Sequence, residues 1–274
     1  MRLTIFDMRK GSGKTSLVSH LGAALAERGA RVLVLDVEPA ERLAHGIPVE
    51  DRGAVLDARG RLVLRPSTRE NLSVLSGVGV WLEERGAASR ITDLFDEYEW
   101  VLCDAGTPAA AASPVLALTD GFLLPFELTR DSMRTIPQAL RLLVERRLER
   151  PAVRLEGLLR IDVTDPQVIG ASERESARAT FERILADHPE FCLTSSIPHD
   201  RALPFSGAAS SRADARIPRP FAALAAELED RVPALGVRGQ EASPIGEVTS
   251  PAGESPVAET RRSGGVARWF RKAS

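Results

Sequence analysis

Lysine is almost absent from this sequence. The chain of 274 residues has 36 basic residues, and only three of them are lysine, at Lys10, Lys14 and Lys272. Arginine fills every other basic position. A guanidinium and a compact ammonium are not interchangeable, so a rare lysine marks a position where the ammonium itself is needed. The stretch that contains Lys10 and Lys14 is therefore the first candidate for a functional site.

Other scarcities exclude whole classes of protein. Two cysteines and four scattered histidines show no metal-ligand spacing, which argues against a zinc site, and Cys103 in an apolar run is expected to be a buried small hydrophobe. No apolar run approaches the ~20 residues that span a bilayer. The first residues enter an apolar strand directly rather than a signal peptide. A net charge of −2 implies no global attraction to nucleic acid, although local patches stay open. We expect a cytosolic protein.

The stretch around the first two lysines has the setting of a phosphate-binding loop. Residues 8–16 read Met-Arg-Lys-Gly-Ser-Gly-Lys-Thr-Ser. They follow the apolar run 3–6 and precede a helical pattern with Leu17, Leu21 and Leu25 on one face. A strand, a glycine-bearing loop that ends in Gly-Lys-Thr, and a helix are the context that this motif requires.

The chemistry of polyphosphate binding explains the residue types in the loop. Gly11 and Gly13 let backbone N–H groups point at a phosphate without obstruction by side chains. The first turn of the helix adds N–H groups and a partial positive charge. Lys14 is expected to reach the β- and γ-phosphates, and the Thr15 hydroxyl to hold Mg²⁺. Met8 stands where the general pattern has its first glycine.

Strand and helix patterns alternate along the chain. After the loop, strands are predicted at 31–35, 72–75, 100–104, 122–125, 155–161 and 191–194, with a hairpin across 53–66. Helices are predicted at 80–97, 132–148, 172–187 and 218–231. This alternation predicts an α/β fold with a doubly wound, mostly parallel sheet and helices on both faces.

Two of the predicted strands end in carboxylates. Asp36 and Glu38 follow the second strand, and Asp104 ends the strand at 100–104. In open α/β sheets, ligands bind at the carboxyl edge of the strands. A single carboxylate there could equally cap the next turn, but the combination with the loop at 9–16 favours a functional role.

In this order the loop, the segment Asp36-Val37-Glu38-Pro39 and Asp104 resemble the ParA/MinD family of P-loop ATPases, whose loop reads Lys-Gly-Gly-x-Gly-Lys-Thr. Further similar segments are 71–77, 119–125 and Ile197-Pro198. The resemblance covers roughly residues 1–231. It implies a P-loop NTPase fold that binds ATP and Mg²⁺, and a protein that dimerises on ATP.

The resemblance also implies a role for each matching residue. Lys14 contacts phosphate and Glu38 orients the attacking water, with Asp36 beside them as a third catalytic residue. Thr15, Asp36 and Asp104 surround the metal, Asp104 acting through water. The remaining nucleotide-binding positions are Arg9, Lys10, Gly11, Ser12, Gly13, Ser16 and, near the adenine, Pro198.

The sequence departs from the family at two places. Arg9 occupies the position of the signature lysine that reaches across the dimer, and Lys10 occupies a glycine position. We expect Arg9, Lys10 or both to make the cross-dimer contact. Glu38 replaces an aspartate and is one methylene longer, so hydrolysis is expected to be slow or altered, and a nucleotide-binding protein with little turnover is a second hypothesis.

Composition divides the chain into three segments: an ATPase domain at 1–235, a flexible linker at 236–262 rich in Pro, Gly, Ser, Glu and Thr, and a short terminal amphipathic helix at 263–274. On a helix, Val266, Trp269, Phe270 and Ala273 fall within an arc of about 100°, opposite three basic residues. This pattern is typical of an interfacial helix on an anionic membrane. The alternatives are a frayed end and docking on a partner protein.

The leading functional hypothesis is an ATP-dependent positioning switch. ATP closes a homodimer, the dimer holds a surface, and a stimulating protein partner triggers hydrolysis and release. The protein would be cytoplasmic, with reversible association with the inner membrane face or the nucleoid. For non-specific DNA the candidate residues are Arg174, Arg178, Arg201, Arg212, Arg216 and Arg219, unless interleaved acids make this a solvated face. A scaffold subunit of a membrane complex, a small-molecule kinase and a metal-cluster carrier are the alternatives.

Overall fold

A mostly parallel β-sheet organises this computed structural model, which describes residues 1–9, 12–37, 65–66, 69–75, 87–105, 118–149, 154–163, 169–187, 189–199 and 217–231. The strands are β1 Arg2–Ile5, β2 Val32–Asp36, β3 Arg65–Pro66, β4 Leu72–Leu75, β5 Trp100–Asp104, β6 Gly121–Glu127, β7 Arg154–Val163 and β8 Cys192–His199. They lie in the order β3-β4-β2-β5-β1-β6-β7-β8. Seven are parallel, and only β3 at one edge pairs antiparallel with its neighbour.

Helices cover both faces of this sheet. They are α1 Lys14–Glu27, α2 Ala87–Phe95, α3 Arg130–Glu149, α4 Ala171–Asp187 and α5 Arg219–Arg231, with a short 3₁₀ turn at Pro189–Phe191. The apolar sides of α1 and α5 pack against one face. The apolar sides of α2, α3 and α4 pack against the other. The predicted doubly wound α/β fold is therefore confirmed. None of the helices among the described residues is long and apolar enough to cross a membrane.

The strands are buried on both faces, which is why they appear in the sequence as continuous apolar runs. In β2, Val32 and Val34 pack into the cluster under α1, whereas Leu33 and Leu35 pack into the cluster under α2. Cys103 lies in that second cluster as a free, buried thiol, as expected. Its burial raises the pKa of the thiol far above the usual range, so Cys103 is not a nucleophile.

Several predicted boundaries are corrected by the structure. The strand expected at 191–194 runs to His199 and includes Ile197 and Pro198. Its pairing with β7 shifts in register, since Leu158 faces Cys192 but Arg160 faces Ser196. The helix expected at 80–97 ends at Phe95 in its described part. Helix α3 spans Arg130–Glu149 although it contains Pro137. The hairpin at 53–66 lies outside the described residues except for β3, which pairs with β4.

A single carboxylate on α5 holds the irregular part of β8. The Glu227 carboxylate accepts the backbone N–H of Thr194 at 2.7 Å and that of Ser195 at 2.8 Å. Although burial raises the pKa of Glu227, these hydrogen bonds outweigh it and hold that pKa below its usual value. Consecutive residues of a regular strand point their N–H groups to opposite sides. One acceptor that binds both therefore fixes the bulge that displaces the end of β8.

Helix α5 also reaches α1. The ring of Phe221 stacks on the His20 imidazole, with centroids 4.6 Å apart, and His20 Nδ1 lies 2.8 Å from the Ser16 carbonyl oxygen in the first turn of α1. The end of β8 and the start of α1 are thus connected through one helix.

Replacing Glu227 with alanine is expected to destabilise the fold by about 1–3 kcal/mol, because two backbone donors lose a charged acceptor. The matched control is Asp230→Ala, an exposed acid on the same helix. Urea unfolding at pH 7 measures the difference. A lowered pKa stabilises the fold only while the group is ionised, so the gap between wild type and variant should close below about pH 4. Equal stability of the two variants at pH 7 would contradict this role.

Candidate functional site

The carboxyl ends of β1, β2, β5 and β6 form one edge of the sheet. Asp36 at the end of β2 lies directly beside Asp104 at the end of β5, and Ile5 at the end of β1 is the partner of Asp104 on its other side. The chain leaves β1 at this edge and enters α1 at Lys14. The predicted loop and the predicted carboxylates therefore meet at one place.

The start of α1 is shaped to face an anion. Gly13 is its N-cap and adopts a left-handed backbone with φ 78°, a conformation that disfavours other residues. Within the described part of the chain no side chain caps this end, and the first turn contains no acid. An uncapped helix start directs N–H groups and a partial positive charge at the loop, which is the arrangement that binds phosphate.

Lys14 folds back over the loop from which it starts. The residue is only 6% exposed. The ammonium donates to the Arg9 carbonyl oxygen at 2.8 Å and to the Ser12 hydroxyl at 3.2 Å. Both of these acceptors are neutral, and charge-assisted hydrogen bonds to ionised oxygens are about twice as strong as neutral ones. A phosphate oxygen in the loop would therefore compete well for the ammonium.

Thr15 is joined to the carboxylate edge. Its hydroxyl donates a hydrogen bond to Asp104 Oδ2, which leaves the oxygen lone pairs of the hydroxyl for a cation. Asp104 and Asp36 are 3% and 1% exposed. No group of three or more histidine, cysteine or acidic side chains is placed to hold a metal ion within the described ranges. Mg²⁺ commonly uses one or two carboxylates and completes its shell with water and substrate phosphates, so these residues fit Mg²⁺ bound together with a phosphate.

Two further carboxylates bind the side chain of Arg9. Arg9 Nη1 donates to Glu127 Oε2 at 2.9 Å, and Nη2 donates to Asp7 Oδ2 at 3.3 Å. The Asp7 carboxylate also accepts the backbone N–H of Arg9 at 3.1 Å. Burial lowers the pKa of the Arg9 guanidinium, but the hydrogen bonds and charges of Glu127 and Asp7 raise it by more. We refer to Asp7, Arg9 and Glu127 as the arginine clasp.

Most of the predicted site residues are brought together. Ser12, Gly13, Lys14, Thr15 and Ser16 form the loop and the first turn of α1, with Arg9 beside them, and Asp36 and Asp104 lie at the adjoining strand ends. Lys10, Gly11 and Glu38 lie outside the described residues, so their roles stay predictions.

Pro198 stands apart from this group. It lies in β8, where it pairs with Asp162 of β7. Strands β6 and β7 separate β8 from β1. At 4.7–4.9 Å between strands this is about 14 Å from β1. The distance is compatible with contact to the far end of a nucleotide but not to its phosphates.

Asp7 and Glu127 were missed by the sequence reasoning. The signal was present, since each follows or ends an apolar strand run, as Asp36 and Asp104 do. The apolar pattern predicts a strand only at 122–125, which stops two residues before Glu127. That Arg9 connects these two acids depends on the neighbouring positions of β1 and β6, which sequence spacing does not reveal.

The fold and the site together define a doubly wound, mostly parallel sheet with a phosphate-loop motif and two carboxylates at the carboxyl ends of its strands. Residues 3–237 match the family model described as the CobQ/CobB/MinD/ParA nucleotide binding domain. The chain therefore belongs to this family of nucleotide-binding P-loop proteins, as the sequence resemblance implied.

Solved structures share the fold at low sequence identity. A chain of the MinC:MinD cell division protein complex of Aquifex aeolicus superposes with a TM-score of 0.62 at 17% identity, over 90% of this chain and 99% of that chain. An ATP complex of a McdA variant from Cyanothece superposes with a TM-score of 0.60 at 16% identity, over 88% of this chain and 98% of that chain. The third structure is cobyrinic acid a,c-diamide synthase of Mycobacterium smegmatis with an ATP analogue and magnesium bound. It superposes with a TM-score of 0.55 at 20% identity, over 73% of this chain and 87% of that chain. At these identities the likeness shows the fold alone.

A curated relative comes from Mycobacterium tuberculosis. That protein, itself uncharacterized, is 28% identical over 200 residues, which cover 62% of this chain. The matched part spans only 60% of the relative's length.

Removing the Thr15 hydroxyl is expected to remove the magnesium dependence of nucleotide binding. Thr15→Val keeps the side-chain shape but cannot hold a cation, so ATP affinity in Mg²⁺ should fall at least about tenfold, which is about 1.4 kcal/mol, to the value measured in EDTA. Calorimetric titration provides the measurement. Ser19→Ala is the control, because the Ser19 hydroxyl donates to the Thr15 carbonyl and to no other group among the described residues. An unchanged magnesium dependence in the valine variant would contradict the assignment.

Proposed function

We propose that this protein is a nucleotide switch that binds ATP with Mg²⁺ in the loop at 9–16, dimerises in the bound state and hydrolyses ATP slowly. The observation that carries the proposal is the convergence of the buried Lys14 ammonium and the Thr15–Asp104 pair at the uncapped start of α1. The family to which the chain belongs is a nucleotide-binding one, and the similar McdA structure is an ATP complex.

The residues of the loop do the positioning that phosphoryl transfer requires. Lys14 exchanges the Arg9 carbonyl for a phosphate oxygen, and the N–H groups that follow Gly13 bind further oxygens. Thr15, with Asp36 and Asp104 behind it, would hold Mg²⁺, which would supply positive charge where negative charge develops. Glu38, in the family position, orients the attacking water. Positioning and charge neutralisation account for most of the catalysis of this reaction class.

A non-hydrolysing regulatory or scaffold subunit is the second candidate function. One specific feature favours it, namely that Glu38 replaces the aspartate of the family pattern. In that case ATP binding would serve only to assemble the dimer. The rate of phosphate release by the wild type and by Glu38→Ala separates the two, because only the switch predicts turnover that falls in the variant.

The surface held by the dimer is proposed to be an anionic membrane, bound through residues 266–273. Two or three apolar side chains contribute roughly 1.5–3 kcal/mol each at full burial, and each basic residue about 1 kcal/mol. Ordering some eight residues costs roughly 1–2 kcal/mol apiece. One tail therefore binds marginally. Two tails on one dimer bind more tightly, because attachment of the first raises the effective concentration of the second at the membrane. Attachment would then depend on ATP, and the protein would be cytoplasmic otherwise.

Non-specific DNA is less well supported as the surface. Of the candidate arginines, Arg174 and Arg178 lie on α4 and Arg219 starts α5, and these helices cover opposite faces of the sheet. Arg178 also lies 3.8 Å from Glu182, as expected for a solvated ion pair. Arg201, Arg212 and Arg216 lie outside the described residues. A protein partner is proposed because a similar MinD chain forms a complex with MinC. That this partner stimulates hydrolysis is a further part of the proposal.

Lys14→Ala is expected to abolish ATP-dependent dimerisation. Without the ammonium, the phosphate charge in the loop is not neutralised, so affinity for ATP should fall at least about a hundredfold, which is about 2.7 kcal/mol. Sedimentation velocity with ATP and with ADP measures the dimer. Arg134→Ala, an exposed cation on α3, serves as the control. Normal ATP affinity together with normal dimerisation in the Lys14 variant would refute the phosphate-loop assignment.

Truncation after Gly265 is expected to abolish pelleting with anionic liposomes, whereas the intact chain should pellet in ATP and much less in ADP. The physical reason is that only the dimer presents two tails to one vesicle. Vesicles of neutral lipid control for the charge contribution. Equal pelleting of the intact and truncated chains would exclude the tail as the anchor, and the absence of pelleting in both would favour DNA or a docking partner.

A further inference from the structure

Arg9 is bound on several sides by groups of its own subunit. A residue that reaches into a partner subunit would not need these contacts. Its two terminal nitrogens donate to Glu127 and Asp7, its backbone N–H is bound to the same Asp7, and its carbonyl oxygen accepts the Lys14 ammonium. Both terminal nitrogens, the backbone N–H and the carbonyl oxygen are therefore bound to Asp7, to Glu127 in β6 or to Lys14. The guanidinium is mostly buried, with its side chain 20% exposed.

Withdrawing Arg9 would leave two acids uncompensated. The Asp7 and Glu127 side chains are only 6% and 16% exposed, and a carboxylate that loses its counter-ion in such surroundings carries a large desolvation cost. Both acids adjoin the loop that is proposed to bind a polyphosphate. Their unneutralised charge would also repel the nucleotide. The charges therefore oppose the movement of Arg9 toward a second subunit.

One donor of the guanidinium remains unused. Arg9 Nε is buried and has no hydrogen-bond partner among the described residues. A buried donor without an acceptor is costly and calls for a partner that the site supplies. The arginine clasp fixes the guanidinium of the same residue whose carbonyl oxygen accepts the Lys14 ammonium. An ionised phosphate oxygen is an acceptor of the right chemistry for this donor.

We propose that Arg9 acts in cis: the arginine clasp holds its guanidinium so that Nε donates to a phosphate oxygen of the nucleotide bound by the same subunit. Arg9 does not cross the dimer, although it occupies the position of the cross-dimer lysine. Lys10 stays a candidate for the contact to the partner's nucleotide. This inference rests on the proposed nucleotide binding, and it replaces the expectation that Arg9 and Lys10 are equivalent candidates.

The first test measures ATP·Mg²⁺ affinity at a chain concentration at which the wild type is monomeric. Arg9→Ala should weaken binding at least tenfold, while Arg134→Ala should bind as the wild type does. The variant Arg9→Ala/Glu127→Gln removes one of the two uncompensated acid charges together with the arginine. Its affinity for ATP·Mg²⁺ should stay as low as that of Arg9→Ala, because the Nε donor is still missing. Wild-type affinity in monomeric Arg9→Ala, or full recovery in the double variant, would overturn the proposal.

The second test mixes subunits. Arg9→Ala and Lys14→Ala chains are combined with ATP, and bound nucleotide per dimer is measured. If Arg9 crosses the dimer, the Lys14→Ala chain supplies it to the intact loop of the Arg9→Ala chain, and nucleotide binding returns. If Arg9 acts in cis, neither chain has a complete site, and binding does not return. Recovery in the mixture would refute the inference.

The third test needs no nucleotide. Arg9→Ala, Glu127→Ala and the double variant are unfolded thermally in the absence of ligand. Because the two groups bind each other, the shift of the double variant should be clearly smaller than the sum of the two single shifts. Additive shifts would overturn the clasp itself. A wild-type chain that binds no ATP but shows this coupling would instead refute the proposed function, so the two failures are distinguishable.

Discussion

The hydrogen bond from Thr15 to Asp104 is the contact on which the arrangement of the site depends. It joins the first turn of α1 to the end of β5, and the adjacent end of β2 brings Asp36 to the same point. The orientation of α1 fixes where its uncapped N–H groups point, and the left-handed Gly13 lets the loop enter the helix without a side chain in the way. Without this junction the lysine, the hydroxyl and the carboxylates would be separate features of separate elements.

The same junction creates an electrostatic problem that the cations of the site must solve. Four carboxylates, those of Asp7, Asp36, Asp104 and Glu127, end strand runs around a loop that is proposed to bind a polyanion. Arg9 and Lys14 are the basic residues of this loop among the described ones, and neither is exposed. We therefore expect binding of a polyphosphate to need a divalent cation in addition. This requirement gives a physical reason for the expected magnesium dependence and for the tight attachment of Arg9.

The fold could be predicted well from the sequence because strands that are buried on both faces consist of continuous apolar runs. Trp100–Asp104 and Leu72–Leu75 were predicted with the bounds that the structure has. The end of β8 was not predicted, since Thr194, Ser195 and Ser196 are polar and the strand is maintained there by Glu227, more than thirty residues further along the chain. In the candidate site, local motifs predicted Lys14, Thr15, Asp36 and Asp104, which the structure places close together. The arginine clasp depends on which strands are neighbours, a long-range property that no local pattern contains.

The central claim is that the loop at 9–16 binds a polyphosphate together with Mg²⁺. Calorimetric titration of the wild-type chain with ATP and with AMP, each in Mg²⁺, tests it most directly, because the two ligands share the base and the ribose and differ only in the β- and γ-phosphates. We expect ATP to bind at least a thousandfold more tightly than AMP, about 4 kcal/mol. Equal affinity for the two nucleotides, or binding of neither, would contradict the account.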